Sequence, residues 1–157
     1  MDSSRIEEKL RQLGIRLPDL SPPAANYVPF TLHGGVVYLA GQIPFENGQL
    51  RYLGAVGADL TLEDGYQAAR LCGINLLANL RLACSSDLGR VKRCLRVGGY
   101  VNSAPGFFDQ ANVVNGCSDL FRDVLGEAGR HARSAISSTP LPFNAAVEVD
   151  AIFAIES

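Results

Sequence analysis

The stretch Ala145-Ala146-Val147-Glu148-Val149-Asp150-Ala151-Ile152-Phe153-Ala154-Ile155 decides the fold. In an extended chain Ala145, Val147, Val149, Ala151 and Phe153 share one face, and Ala146, Glu148, Asp150, Ile152 and Ala154 share the other. A period of two with one wholly apolar face marks a strand buried on that side. Two carboxylates among apolar residues on the opposite side leave two readings open. Either that face is solvated, as one face of an alternating strand commonly is, or a carboxylate on a half-buried surface has a partner or a chemical task.

Moving back along the chain, Pro140 and Pro142 lie in a loop that joins this strand to a shorter one at Ser134–Ser137. Just before it, Gly129-Arg130-His131-Ala132-Arg133-Ser134 gathers two guanidiniums and an imidazole at a strand entrance. This cluster also has two readings: basic groups complementing a helix C-terminus, or forked recognition of a carboxylate by arginine. From Phe107 to Leu125 the spacing of Phe108, Ala111, Val114, Cys117, Leu120, Phe121 and Val124 predicts a helix. Tyr66, Phe108 and Phe121 are read as core residues rather than stacking platforms.

Val91 to Val101 reads as another strand, with Cys94, Arg96, Gly98 and Tyr100 on one side and Leu95, Val97 and Val101 on the other. Gly98-Gly99 implies a bulge or a close backbone approach. Thr61 to about Cys84 is the strongest helical signal, with Thr61 as N-cap and Glu63 and Asp64 in the first turn. Tyr27–Leu32 and Val36–Ala40 read as a hairpin turning at His33-Gly34-Gly35, and Glu46-Asn47-Gly48 as a further turn. At the start, Ser3 or Ser4 can cap a short peripheral helix with Glu7 or Glu8 completing a capping box and Gly14 as its stop. Pro18, Pro22 and Pro23 then suit an extended arm. The chain thus divides into a helix and Pro-rich arm, 1–25, and one α+β domain, 26–157, with two helices on one face of a mixed sheet and the other face bare.

Composition narrows the function. The 157 residues are 47% apolar and 19% charged, below the roughly 25% charged content of ordinary soluble domains. So few charges suit a molecule that hides part of its outside in a subunit interface. A net charge of -2 argues against nucleic-acid binding through a basic stripe. Four cysteines without a Cys-x-x-Cys pair, and two histidines, His33 and His131, without ligand spacing, argue against a metal site; both histidines read as structural. Gly54-Ala55-Val56-Gly57 lacks the features of a phosphate loop, so no nucleotide cofactor is expected. No secretory signal or membrane span is apparent, which predicts a cytoplasmic protein with reduced thiols.

Several of these segments, taken in order, resemble the RidA (YjgF, reactive-intermediate deaminase) family, also labelled L-PSP endoribonuclease. They are Gly41-Gln42-Ile43-Pro44 after a hairpin, Val101-Asn102 closing a strand, Asn115 in the second helix, Ala132-Arg133-Ser134, and Leu141-Pro142 before Val147–Ile152. Gly65–Arg70, Val114–Leu120 and Gly129–Ala135 are similar to a longer branch of that family. The resemblance implies a chorismate-mutase-like protomer and a homotrimer with a barrel-like core and a cleft between subunits. It also implies cofactor-free hydrolysis of a small imine or enamine, such as 2-aminoacrylate, to a 2-keto acid and ammonia. By the same resemblance Arg133 clamps a small metabolite's carboxylate and Glu148 holds or activates water, while Tyr27, Gly41, Asn115 and Ala135 line the pocket. Ala40 and Ala135 stand where RidA has Ser and Cys, removing two polar side chains but leaving backbone donors. That difference favours the alternative of a metabolite-binding trimer without turnover; the family label suggests a third, RNA cleavage, which the charge balance opposes.

Overall fold

The computed structural model describes residues 2–20 and 25–156. Its elements, in chain order, are helix α1 (Ser3–Gln12), strands β1 (Phe30–His33), β2 (Val36–Gln42), β3 (Phe45–Glu46) and β4 (Gln49–Leu50), and helix α2 (Leu62–Ala83). Strand β5 (Val91–Val101), helix α3 (Gln110–Leu125) and strands β6 (Ala132–Ser137) and β7 (Val147–Ile155) follow. The main sheet has the order β1-β2-β7-β5-β6; β5 and β6 run parallel, joined across the sheet by α3, and the other neighbours are antiparallel. This is the α+β architecture that the alternation of strands and helices predicts.

The decisive stretch behaves as read. In β7 Val147, Val149, Ala151, Phe153 and Ile155 are buried, and Glu148, Asp150, Ile152 and Ala154 are half-buried on the opposite face. The buried row meets Leu76, Leu77 and Leu80 of α2 and Val114, Cys117 and Phe121 of α3 in one core. Among the described residues no element covers the second face, where Tyr38 is 49% and Ile136 is 52% exposed.

Helix α2 carries the expected cap: Asp64 N–H donates to Thr61 Oγ1 at 3.1 Å and Thr61 N–H donates to Asp64 Oδ2 at 2.8 Å. Helix α1 is capped one residue earlier than expected, because the Asp2 carboxylate accepts from Ser4 N–H at 3.0 Å. Although it lies at the edge, α1 sends Ile6 and Leu10 into the core. Residues 21–24 of the Pro-rich arm, with Pro22 and Pro23, lie outside the described residues.

Other boundaries differ for local reasons. Strand β1 begins at Phe30 rather than Tyr27, since Pro29 has no N–H to give a ladder; its carbonyl accepts from Ala40 N–H at 3.0 Å. Helix α3 begins at Gln110, after Gly106 turns the chain with φ of 82°, so Phe108 is 88% exposed and not a core residue. In β5 the pairing slips between Val91 and Arg93 and again between Cys94 and Arg96. Those irregularities reset the alternation: Cys94 is buried with Val97, while Leu95 is 41% exposed. Gly98-Gly99 is the expected close approach, with the Asp150 carboxylate against Gly98 and Val114 against Gly99.

Candidate functional site

Strand β7 places Glu148 on the uncovered face, opposite Tyr100 of β5. Its carboxyl group lies directly over Gly41, where any Cβ would collide with Glu148 Oε1. Glycine at 41 is therefore a space requirement of the carboxylate, and the strand bends there, with the β2–β7 register shifting between Leu39 and Gln42. Among the described residues Glu148 has no hydrogen-bond or ion-pair partner; burial first, and the neighbouring Asp150 second, push its pKa upward. Asp150 differs. It accepts from the Tyr100 hydroxyl at 2.9 Å and lies 3.5 Å from Arg96 Nη1. Of the two carboxylates on this face, Asp150 is bound into the sheet and Glu148 is the one left available.

Arg133 lies on the other side of the sheet. It pairs with Val97, whose side chain is buried under the helices, and its guanidinium crosses the end of α3. Nη1 donates to Asn115 Oδ1 at 2.8 Å and to Ser118 Oγ at 3.0 Å, and Nη2 donates to the Ala111 carbonyl at 3.1 Å. Residues 111, 115 and 118 fall on one face of a helix, so a single stripe of α3 receives the arginine. All three acceptors are neutral oxygens. Arg96, Arg122 and Arg130 each have a carboxylate within ion-pair distance, but Arg133 has none among the described residues.

Of the five guanidinium N–H donors, these bonds leave the Nε–H and one Nη2–H, which together can fork a carboxylate. The guanidinium opens on a cavity of about 260 Å³ lined also by Ser118, Asp119, Arg122, Gly129, Arg130 and His131.

The expected site residues therefore fall into two groups. Asn115 and Arg133 meet, and Ala135 follows two residues along the same face of β6. Gly41 and Glu148 meet on the opposite face, two strands from β6. Tyr27 precedes β1 and is 51% exposed. One chain does not bring Arg133 and Glu148 together.

Two polar residues at the arginine were not singled out as site residues. His131 Nδ1 is 2.7 Å from the Gly129 carbonyl and its Nε2 is 2.9 Å from Ser118 Oγ, which in turn accepts from Arg133. Ser118 shares a helix stripe with Ala111 and Asn115, but no sequence pattern marks its contacts with His131 and Arg133. The four cysteines are free and buried; burial pushes the thiol pKa values upward, that of Cys94 to about 12, so none is an activated nucleophile. Among the described residues no His, Cys, Asp and Glu cluster could hold a metal ion. No helix there is long and apolar enough to cross a membrane.

A family model described as "YjgF/chorismate_mutase-like, putative endoribonuclease" matches residues 7–155. Protein TCP17 of Trypanosoma cruzi is 43% identical over 151 residues, covering 96% of this chain and 94% of the relative. A crystal structure from Agrobacterium tumefaciens, of a protein of unknown function, superposes with a TM-score of 0.92 at 44% identity, covering 99% of this chain and 94% of that one. Another from Shewanella oneidensis, described as a putative endoribonuclease, gives 0.92 at 33% identity over 96% and 99% of the two chains. These matches extend through the N-terminal segment as well as the sheet, beyond the stretch on which the resemblance was recognised. The protein belongs to the RidA/YjgF family, with its chorismate-mutase-like α+β fold.

Proposed function

We propose that the protein is a cofactor-free deaminase that hydrolyses a small imine or enamine bearing a carboxylate, at a cleft between two copies of the chain. The observation that carries this reading is the state of Arg133: a guanidinium fixed by neutral oxygens, without a counterion among the described residues, and with a forked pair of donors remaining. A substrate carboxylate would supply the missing charge. Since Glu148 lies on the opposite face, the same substrate meets both groups only if a second copy docks its open sheet face against the arginine edge. The apolar residues on that face support such docking. We take the assembly to be a homotrimer.

The chemistry asks little of the site. An enamine takes a proton on carbon to become the imine, whose carbon is already electrophilic. Glu148, half-buried and unpartnered, would orient a water and accept one of its protons as the oxygen bonds to that carbon. Glu148 returns its proton to the nitrogen of the resulting carbinolamine, the hydroxyl loses its proton as the C=O bond forms and the C–N bond breaks, and ammonia and the 2-keto acid leave. A raised carboxyl pKa makes Glu148 a better proton acceptor than an ordinary glutamate. The free buried thiols suit a cytoplasmic setting.

The test is to generate 2-aminoacrylate and related imines enzymatically and follow release of keto acid and ammonia. The protein should accelerate their decay, and Arg133→Ala should not. Unchanged decay with the wild-type protein overturns the deaminase reading for those substrates. Saturable 2-keto acid binding without imine turnover would instead support a metabolite-binding trimer, which Ala135, apolar beside Arg133, favours. Some relatives are named putative endoribonucleases, yet the net charge of -2 argues against RNA binding through a broad basic stripe.

A further inference from the structure

Arg133 is held by a relay that starts at a histidine. A carbonyl only accepts, so the 2.7 Å contact with Gly129 places the His131 proton on Nδ1 and leaves Nε2, in the neutral ring, as an acceptor. The Ser118 hydroxyl, 2.9 Å from Nε2, therefore donates its single proton to the ring. Its lone pairs remain for Arg133 Nη1, 3.0 Å away. The histidine thus decides how the serine is turned, and the serine occupies the Nη1 donor that would otherwise compete for an incoming anion.

Protonation of the ring undoes this order. With both ring nitrogens donating, Ser118 turns its hydrogen away from Nε2 and its oxygen accepts from the ring as well, so its lone pairs are divided between two facing cations and its bond to Arg133 weakens. The surrounding charges do not substitute for the relay. From α3, Asp119 accepts from the Tyr66 hydroxyl of α2 at 3.0 Å and pairs with Arg122 at 3.3 Å. Beside the ring Arg130 pairs with Glu127 at 3.1 Å, and the Phe121 ring meets the imidazole edge-on with centroids 6.0 Å apart. The one charge on β6 near the ring is Arg133 itself, among the described residues.

We propose that His131, acting through the Ser118 hydroxyl, is the positioning residue that turns the carboxylate-binding edge of Arg133 outward, and that protonating His131 releases this hold. The proposal rests on the reading of Arg133 as a carboxylate anchor. Burial lowers the His131 pKa from its ordinary 6.5, and Arg133 lowers it further, against the Gly129 hydrogen bond that raises it. The neutral relay therefore prevails at pH 7 and is lost only in acid.

Nuclear magnetic resonance of the intact protein tests the relay without substrate, by the rotation rate of the Arg133 guanidinium about its Nε–Cζ bond between pH 7.5 and 5. Rotation should be slow at pH 7.5 and accelerate as His131 protonates. Ser118→Ala should rotate fast at every pH, Ser118→Thr should restore slow rotation, and His131→Gln should lose the pH dependence. In imine hydrolysis Ser118→Ala should raise KM about tenfold while kcat moves little, the loss expected for one hydrogen bond to a charged group. Equal rotation rates in wild type and Ser118→Ala, or a rate in wild type that ignores His131 protonation, overturn the proposal. A pH-dependent rotation in a protein that neither hydrolyses imines nor binds 2-keto acids would retain the relay and overturn the deaminase reading.

Discussion

Glu148 and Asp150 show how two carboxylates two residues apart acquire different roles. Asp150 is held by Tyr100 and Arg96, whereas Glu148 has no partner among the described residues and lies over Gly41, where a side chain would displace it. A group whose native pKa is raised binds more protons folded than unfolded, so stability falls as pH rises from the ordinary carboxylate value through the native one. Glu148→Gln should accordingly melt at a higher temperature than wild type at pH 7, with the difference closing near pH 3; calorimetry at the two pH values checks this. The same substitution should abolish turnover, which would show a carboxylate kept for chemistry at a cost in stability. Arg133→Ala should lower kcat/KM by at least about a hundredfold, and Arg133→Lys should not restore it, since a point charge cannot replace the fork. Arg133, Asn115 and Glu148 were named as site candidates from the sequence through the family resemblance, and the Arg133–Asn115 contact joins two of them. The partners Ser118 and His131 were not, because their contact spans thirteen residues and depends on how a turn returns the chain beside α3.

At the level of elements, local chemistry foretold what local chemistry controls. Thr61 announced its helix cap, which the structure completes as a capping box with Asp64, and Thr61→Ala should destabilise the fold by about 1 kcal/mol in denaturant unfolding. Alternation in β7 foretold both its buried and its open face. It failed in β5, where two register slips against β7 exchange the sides of Cys94 and Leu95; such slips depend on the neighbouring strand and leave little trace in one segment. Phe108 was misread for a related reason: helical spacing ran past the start of α3, and Gly106 ended it. Where α3 crosses α2, a Cβ on Gly116 would collide with the Tyr66 carbonyl, a constraint set by the packing of helices remote in sequence. Gly116→Ala should therefore cost about 1–3 kcal/mol, whereas Gly41→Ala, which displaces Glu148, should reduce activity more than melting temperature.

For the whole molecule, a charge content of 19% accompanies a sheet face left open among the described residues, and the proposed assembly would account for both. The face carries Tyr38, Ile136 and Ile152 beside Glu148, while Arg133 sits at the far edge behind the sheet. If each cleft takes its arginine from one copy and its glutamate from another, two inactive variants should complement each other. Arg133→Ala and Glu148→Ala chains, unfolded and refolded together in equal amounts, would form trimers in which about a quarter of the clefts are intact. The account predicts imine hydrolysis near that fraction of wild type, from two parents that are each inactive alone. Mixed assemblies no more active than either parent would contradict a site shared between chains.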